Sequence, residues 1–318
     1  MGAYRARRLL ALLPTLLLAS LIVFFTIRLI PGDVIDLMLS QNDVAADKLN
    51  RDQLVAALGL DRPVWEQYLR WVGAIVLHGD LGQSLWQSTP VTELLSGRLP
   101  VTFQLGAMAL VVALTIALPI GIYSALRQDT AGDYIGRSFS ILLLAVPSFW
   151  LATMVVVFPS IWWGWSPEVN YVPFTSDPLQ NMKQMLVPAV VLGAALSAVT
   201  MRMTRTMMLE VLRQDYIRTA WAKGLSEPLV VMRHALRNAL IPVVTLIGLQ
   251  APLLIGGAVI TEQIFVIPGM GLLLLDAVNQ RDYPVIAGVF LVVGVAVMVI
   301  NLIVDLSYGL LDPRVRHR

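Results

Sequence analysis

The side chains best suited to proton transfer or metal binding near neutral pH are three histidines, His78, His234 and His317. They are scattered, and none has a second histidine or a carboxylate at metal-ligand spacing. There is no cysteine, which excludes disulfides and thiolate metal sites. No G-x-S-x-G is present, so the chain shows no nucleophile elbow. No G-x-x-x-x-G-K-[ST] is present either, and none of Lys48, Lys183 and Lys223 follows a glycine. No catalytic residue, cofactor site or metal site is expected in this chain. If it drives transport, the energy must enter from another chain.

The elements that position the remaining polar groups are those of a membrane protein. Of 318 residues, 57% are hydrophobic and only 14% charged, against about 25% charged in soluble domains. Mean hydropathy is +0.73. The net charge of +2 comes without a run of like charges, which argues against nucleic acid.

Uncharged runs predict six spans, at 9–27, 99–126, within 138–167, and at 184–201, 238–261 and 283–304. Each is long enough to cross a hydrocarbon core of about 30 Å as a helix. The basic start (Arg5, Arg7, Arg8) resembles a signal peptide, but the apolar run after it is long for one and no small-x-small site follows. It is read as a retained first span. The uncharged run 263–275 contains Pro268, Gly269 and Gly271 and is too short to span, so an interfacial or re-entrant piece is expected. The division that follows is an N-terminal span with an extracytoplasmic segment over 1–98, and a five-span core over 99–318.

Fifteen of the 23 Lys and Arg residues fall on the side holding both termini and the loop 207–242. The positive-inside rule places that side in the cytoplasm. Trp162, Trp163 and Trp165 then mark the outer end of span three. In the outer segment, Asp61 and Pro63 are expected to open a helix with an apolar face that includes Trp65, Tyr68 and Val72. Inside the spans, ionisable groups are few. Arg28, Arg202 and Glu262 are placed at span ends, and Asp305 near an exit. Gln104, Gln250 and Asn301 are the main polar residues there, expected to hydrogen-bond between helices. A self-sufficient secondary carrier or channel is the alternative to a driven transporter, but it calls for buried ion ligands, which the sequence does not offer.

The polar loop 207–242 carries Arg213, Arg218, Lys223, Arg233 and Arg237 in a chain poor in charge. A helix is predicted from Glu210, with Leu212, Tyr216, Thr219, Ala220 and Lys223 along one side. Gly224 is its stop, Ser226 the next cap, and Pro228 falls in the following first turn. Such a helix either inserts into a partner's groove or rests on headgroups.

Asp215-Tyr216-Ile217-Arg218-Thr219-Ala220, Ala222-Lys223-Gly224-Leu225-Ser226 and the run from Arg233 to Pro242 resemble the cytoplasmic signature of binding-protein-dependent ABC transporter permeases of the dipeptide/oligopeptide family. Further stretches are similar in order and spacing: 28–33, 58–63, Gln67-Tyr68, 79–82, 146–150, 268–271, 281–284 and 312–316. Trp221 stands where the family usually has arginine, and Glu227-Pro228-Leu229 replaces a more basic stretch. The resemblance implies an all-α integral membrane bundle of six transmembrane helices with a cytoplasmic coupling helix. It also implies a second homologous permease subunit, two ATP-binding subunits that hold ATP and Mg, and an extracytoplasmic substrate-binding protein. Short peptides or a related small solute would be the cargo. Tyr216, Arg218, Thr219, Ala220, Trp221, Lys223 and Gly224 would contact the ATPase, and the location would be a bacterial inner membrane.

Overall fold

A computed structural model describes residues 2–28 and 61–311. The similar stretches at 29–33, 58–60 and 312–316 lie outside the described residues. The described elements are helices: α1 (Gly2–Arg28), α2 (Val64–His78), α3 (Val91–Leu126), α4 (Ala131–Ala145), α5 (Ser148–Trp163), α6 (Pro178–Leu212), α7 (Asp215–Ala222), α8 (Glu227–Leu249), α9 (Ala251–Phe265), α10 (Met270–Gln280) and α11 (Tyr283–Leu311). Among the described residues the only β pairing is an isolated bridge between Gln83 and Pro90.

Among the described residues, four helices are long and apolar enough to cross a membrane: α3, α6, α8 and α11 over Tyr283–Val304. Counting each of two bent pairs as one span raises the number to six. One pair is α4 and α5, bent by 92°. The expected span within 138–167 is thus broken where Val146 turns extended before Pro147, whose ring disfavours helix in the residue preceding it. The other pair is the end of α9 and α10, bent by 86°, within the stretch read as re-entrant. The predicted continuous span 238–261 is corrected. α8 ends at Leu249, and Pro252 lacks the N–H that would have carried the helix onward. In α1 the described apolar stretch, Leu13–Thr26, lies inside the run 9–27 read from sequence.

The chain divides into two compact units. The first comprises Pro100–Leu272 with Met1–Arg5 and Val297–Arg318. At its centre is α6, which buries Met185, Ala189 and Leu192 with Leu105, Ala109 and Ala258. The approach of α3 to α6 is close because a Cβ on Gly193 would stand 2.5 Å from the carbonyl oxygen of Ala109. Polar residues of the spans are paired between helices, as Gln104 is with Asn181 and Gln250 with Thr200. Asn301 is exposed.

The second unit comprises Ala6–Leu99 with Leu273–Ala296. Here α2 lies on α1: the Phe24 ring meets Tyr68 at 5.2 Å, Ser20 and the Tyr68 hydroxyl are 2.9 Å apart, and Arg28 donates to Gln67. Pro63, not Asp61, occupies the cap position of α2. Half-buried Glu66 takes hydrogen bonds from Arg62 and Arg70, and the Arg62 bond above all holds its carboxyl below the usual range. The similar stretch 281–284 is tied in this unit to the segment just after 79–82. Ser84 Oγ and Leu85 N–H donate to Asp282, and Trp86 Nε1 donates to the Gln280 carbonyl at 2.8 Å.

Candidate coupling site

The helix predicted from Glu210 is two helices. α6 ends at Leu212, and Gln214, exposed and with ψ 148°, leads into α7. Arg213 and Gln214 have no apolar face to bury, whereas Asp215 suits the positive end of a new helix. Leu212 therefore does not share a helix side with Tyr216.

The inward side of α7 is Ile217 and Ala220, 0% and 6% exposed. They pack with Met208 of α6 and with Val230, Val231, Ala235 and Ala239 of α8. The first turns of α8 are π-helical over Val230–Leu236. Its wider i→i+5 winding suits the row Val230, Val231 and Ala235 that backs α7. The Tyr216 hydroxyl accepts from Asn238 Nδ2 at 3.0 Å, a second tie between α7 and α8.

Gly224 ends the element with φ +76°, a left-handed conformation that costs glycine nothing, and its N–H donates to the Trp221 carbonyl at 2.9 Å. Ser226 stands at the cap position of α8 without a side-chain cap bond, and Pro228 falls in the first turn. The outward side shows Tyr216, Arg218, Thr219, Trp221, Lys223 and Gly224. Arg218 and Asp215 are 3.4 Å apart and both exposed, so their pairing is weak and the guanidinium is available to a partner.

Six of the seven candidate contact residues thus share the exposed side. Ala220 does not; it faces the chain's own core. The result is a short helix anchored by apolar packing, presenting two aromatic rings and two cations. Among these side chains no nucleophile is hydrogen-bonded to a side-chain base. The arrangement can bind a surface and transmit a push through Ile217 and Ala220 into α6 and α8.

Among the described residues, sequence reasoning missed three buried carboxylates. Asp133 at the start of α4 and Glu262 of α9 are each 0% exposed, and Asp282 is 2% exposed. Arg205 grips Asp133 through two 2.7 Å hydrogen bonds, joining α4 to α6 about two turns before α6 ends. The spacing Thr130-x-x-Asp133 ahead of an apolar run is the available sequence signal. Glu262 accepts from Thr102 and from two backbone N–H groups. Its signal is the glycine pair of Pro268-Gly269-Met270-Gly271, which marks close backbone approach.

Apolar helices of spanning length, with one anchored polar helix between α6 and α8, define an integral membrane protein. The description "Binding-protein-dependent transport system inner membrane component" fits residues 117–317, and that of the N-terminal part of such components fits residues 1–106. The chain is 39% identical to the dipeptide transport system permease protein DppB of Escherichia coli K12, covering 98% of both. It is 41% identical to the oligopeptide transport system permease protein AppB of Bacillus subtilis 168, covering all of both. It is 39% identical to the di/tripeptide transport system permease protein DppB of Pseudomonas aeruginosa UCBPP-PA14, again covering all of both. The chain belongs to the family of inner membrane components of binding-protein-dependent transport systems. It is a multi-pass permease subunit of an ATP-driven importer, and ATP hydrolysis resides in separate subunits.

Proposed function

We propose that this subunit forms part of the translocation path for short peptides. The observation that carries the reading is full-length similarity to relatives named for dipeptides, di/tripeptides and oligopeptides. A second homologous permease completes the path, two ATP-binding subunits with ATP and Mg drive it, and an extracytoplasmic binding protein delivers the solute. Both termini and the α7 loop face the cytoplasm, a reading supported by the excess of Lys and Arg on that side. Tyr216, Arg218, Thr219, Trp221, Lys223 and Gly224 meet the ATPase, and Ala220 anchors the helix behind them.

Proteoliposomes holding the two permeases and two ATPase subunits, supplied with binding protein, test this. ATP-dependent uptake of labelled di- and tripeptides is expected, with none from the chain alone. Uptake by the chain alone without ATP contradicts the reading. So does a complete complex that hydrolyses ATP yet moves a non-peptide solute and no peptide.

A further inference from the structure

The turn between α9 and α10 is wrapped around Glu262. Thr102 Oγ1 donates to Glu262 Oε1 at 2.6 Å, and Gly271 and Leu272 donate backbone N–H groups to Oε2 at 2.7 and 3.1 Å. Thr102 Oγ1 in turn accepts from the Met270 N–H at 2.8 Å. Three N–H groups at the start of α10 are thus held, directly or through Thr102, by one side chain of α9. These are the donors a helix start leaves unpaired, and a carboxylate there also faces the positive end of the helix. The packing leaves no slack: a Cβ on Gly269 would stand 2.2 Å from Glu262 Cδ.

What the clamp holds is strained. Val266 ends α9 with φ +54° and ψ +39°, where glycine is the usual residue and a β-branched one is an outlier. Strain of this kind persists only where neighbours over-determine it, and it gathers at working sites. Val266 is 45% exposed. With Phe265 and Ile267 it forms one wall of a cavity of about 150 Å³, whose other walls include Trp165, Tyr171 and Gln184. Every member lies in the first compact unit.

We infer that Glu262 is a positioning residue for transport: its carboxylate fixes the turn 265–269 as a rigid wall of this cavity, and solute passage depends on that wall. Glu262 touches no solute in this account. It acts through Val266 and its neighbours. The inference rests on the transport reading, but the clamp itself can be tested without a solute.

This chain has no cysteine of its own, so V266C gives it a single one, and labelling is read on this subunit within the complete complex. Its labelling rate by a small maleimide is compared in the otherwise unchanged background, E262A, E262Q and T102V. Removing charge-assisted hydrogen bonds lets the turn open, so labelling about tenfold faster is expected in E262A, with a smaller rise in T102V. E262Q keeps an acceptor for the two N–H groups, and the Thr102 hydroxyl can turn to accept from its amide NH2, so without the charge it is expected to label faster than the unchanged background but well below E262A. Without the reporter, peptide uptake per assembled complex is expected to fall in E262A and recover in E262Q while ATP hydrolysis continues. Unchanged labelling and uptake in E262A overturn the inference. If E262A does not assemble, T102V decides, and the unchanged rates in that variant overturn it. A wild-type complex that takes up no peptide removes the peptide reading alone, and the labelling comparison then judges the clamp.

Discussion

Two glycines separate the demands that single residues meet here. Gly271 has no room: a Cβ would stand 2.5 Å from the backbone Cα of Val259, which cannot rotate away. Gly224 has room, with nothing within 4 Å of a Cβ, but sits at φ +76°. Gly271→Ala is therefore expected to cost about 1–3 kcal/mol through overpacking and to lower the yield of folded subunit. Gly224→Ala is expected to cost about 1–2 kcal/mol from the left-handed backbone alone, without a repacking defect. Thermal unfolding in detergent checks both, and equal tolerance of alanine at the two positions contradicts the distinction. Buried Ala220 belongs with Gly271 as a packing position, although its place in the sequence signature suggested contact.

Among elements, the tie between α4 and α6 gives the sharpest expectation. Asp133 is fully buried and Arg205 one-fifth exposed, and they are joined through both oxygens. Removing one partner of a buried pair strands the other charge, at about 3–5 kcal/mol. Arg205→Ala should therefore destabilise the subunit strongly, and Asp133→Ala combined with Arg205→Ala should recover much of that loss. Thermal unfolding of the single and double variants tests it, and additive losses contradict a coupled pair. The elements were legible to different degrees. Span-length apolar runs announced α3 and α11, and Gly224 announced the end of α7. The break at Arg213 and Gln214 was not announced, because the periodicity of Leu212, Tyr216 and Thr219 continues across it. The broken helices carried weaker signals: Pro147 and Pro252 are compatible with a kink or a break, and packing decides which.

At the scale of the whole molecule, composition excluded a soluble chain, and the missing phosphate loop required an outside source of energy. The buried carboxylates were not legible, because charge counts along the chain cannot tell a span end from a core position. Glu262 looked terminal, yet it is enclosed by a turn that folds back over it. The seven proposed contact residues were found as one sequence block, but only the fold shows that the block has an inner and an outer side. On the proposed function, a push on α7 has a short path inward, through Ile217 and Ala220 to α6 and α8.

The central claim is that the outer side of α7 receives the ATPase subunit. A single cysteine at exposed Thr219, in a chain with none of its own, tests it by thiol cross-linking within the assembled transporter. T219C is expected to cross-link to an ATP-binding subunit, with a yield that changes when nucleotide is trapped. T175C, in the exposed segment between α5 and α6, is expected to give no such product. Cross-linking from Thr175 and none from Thr219 would contradict the account.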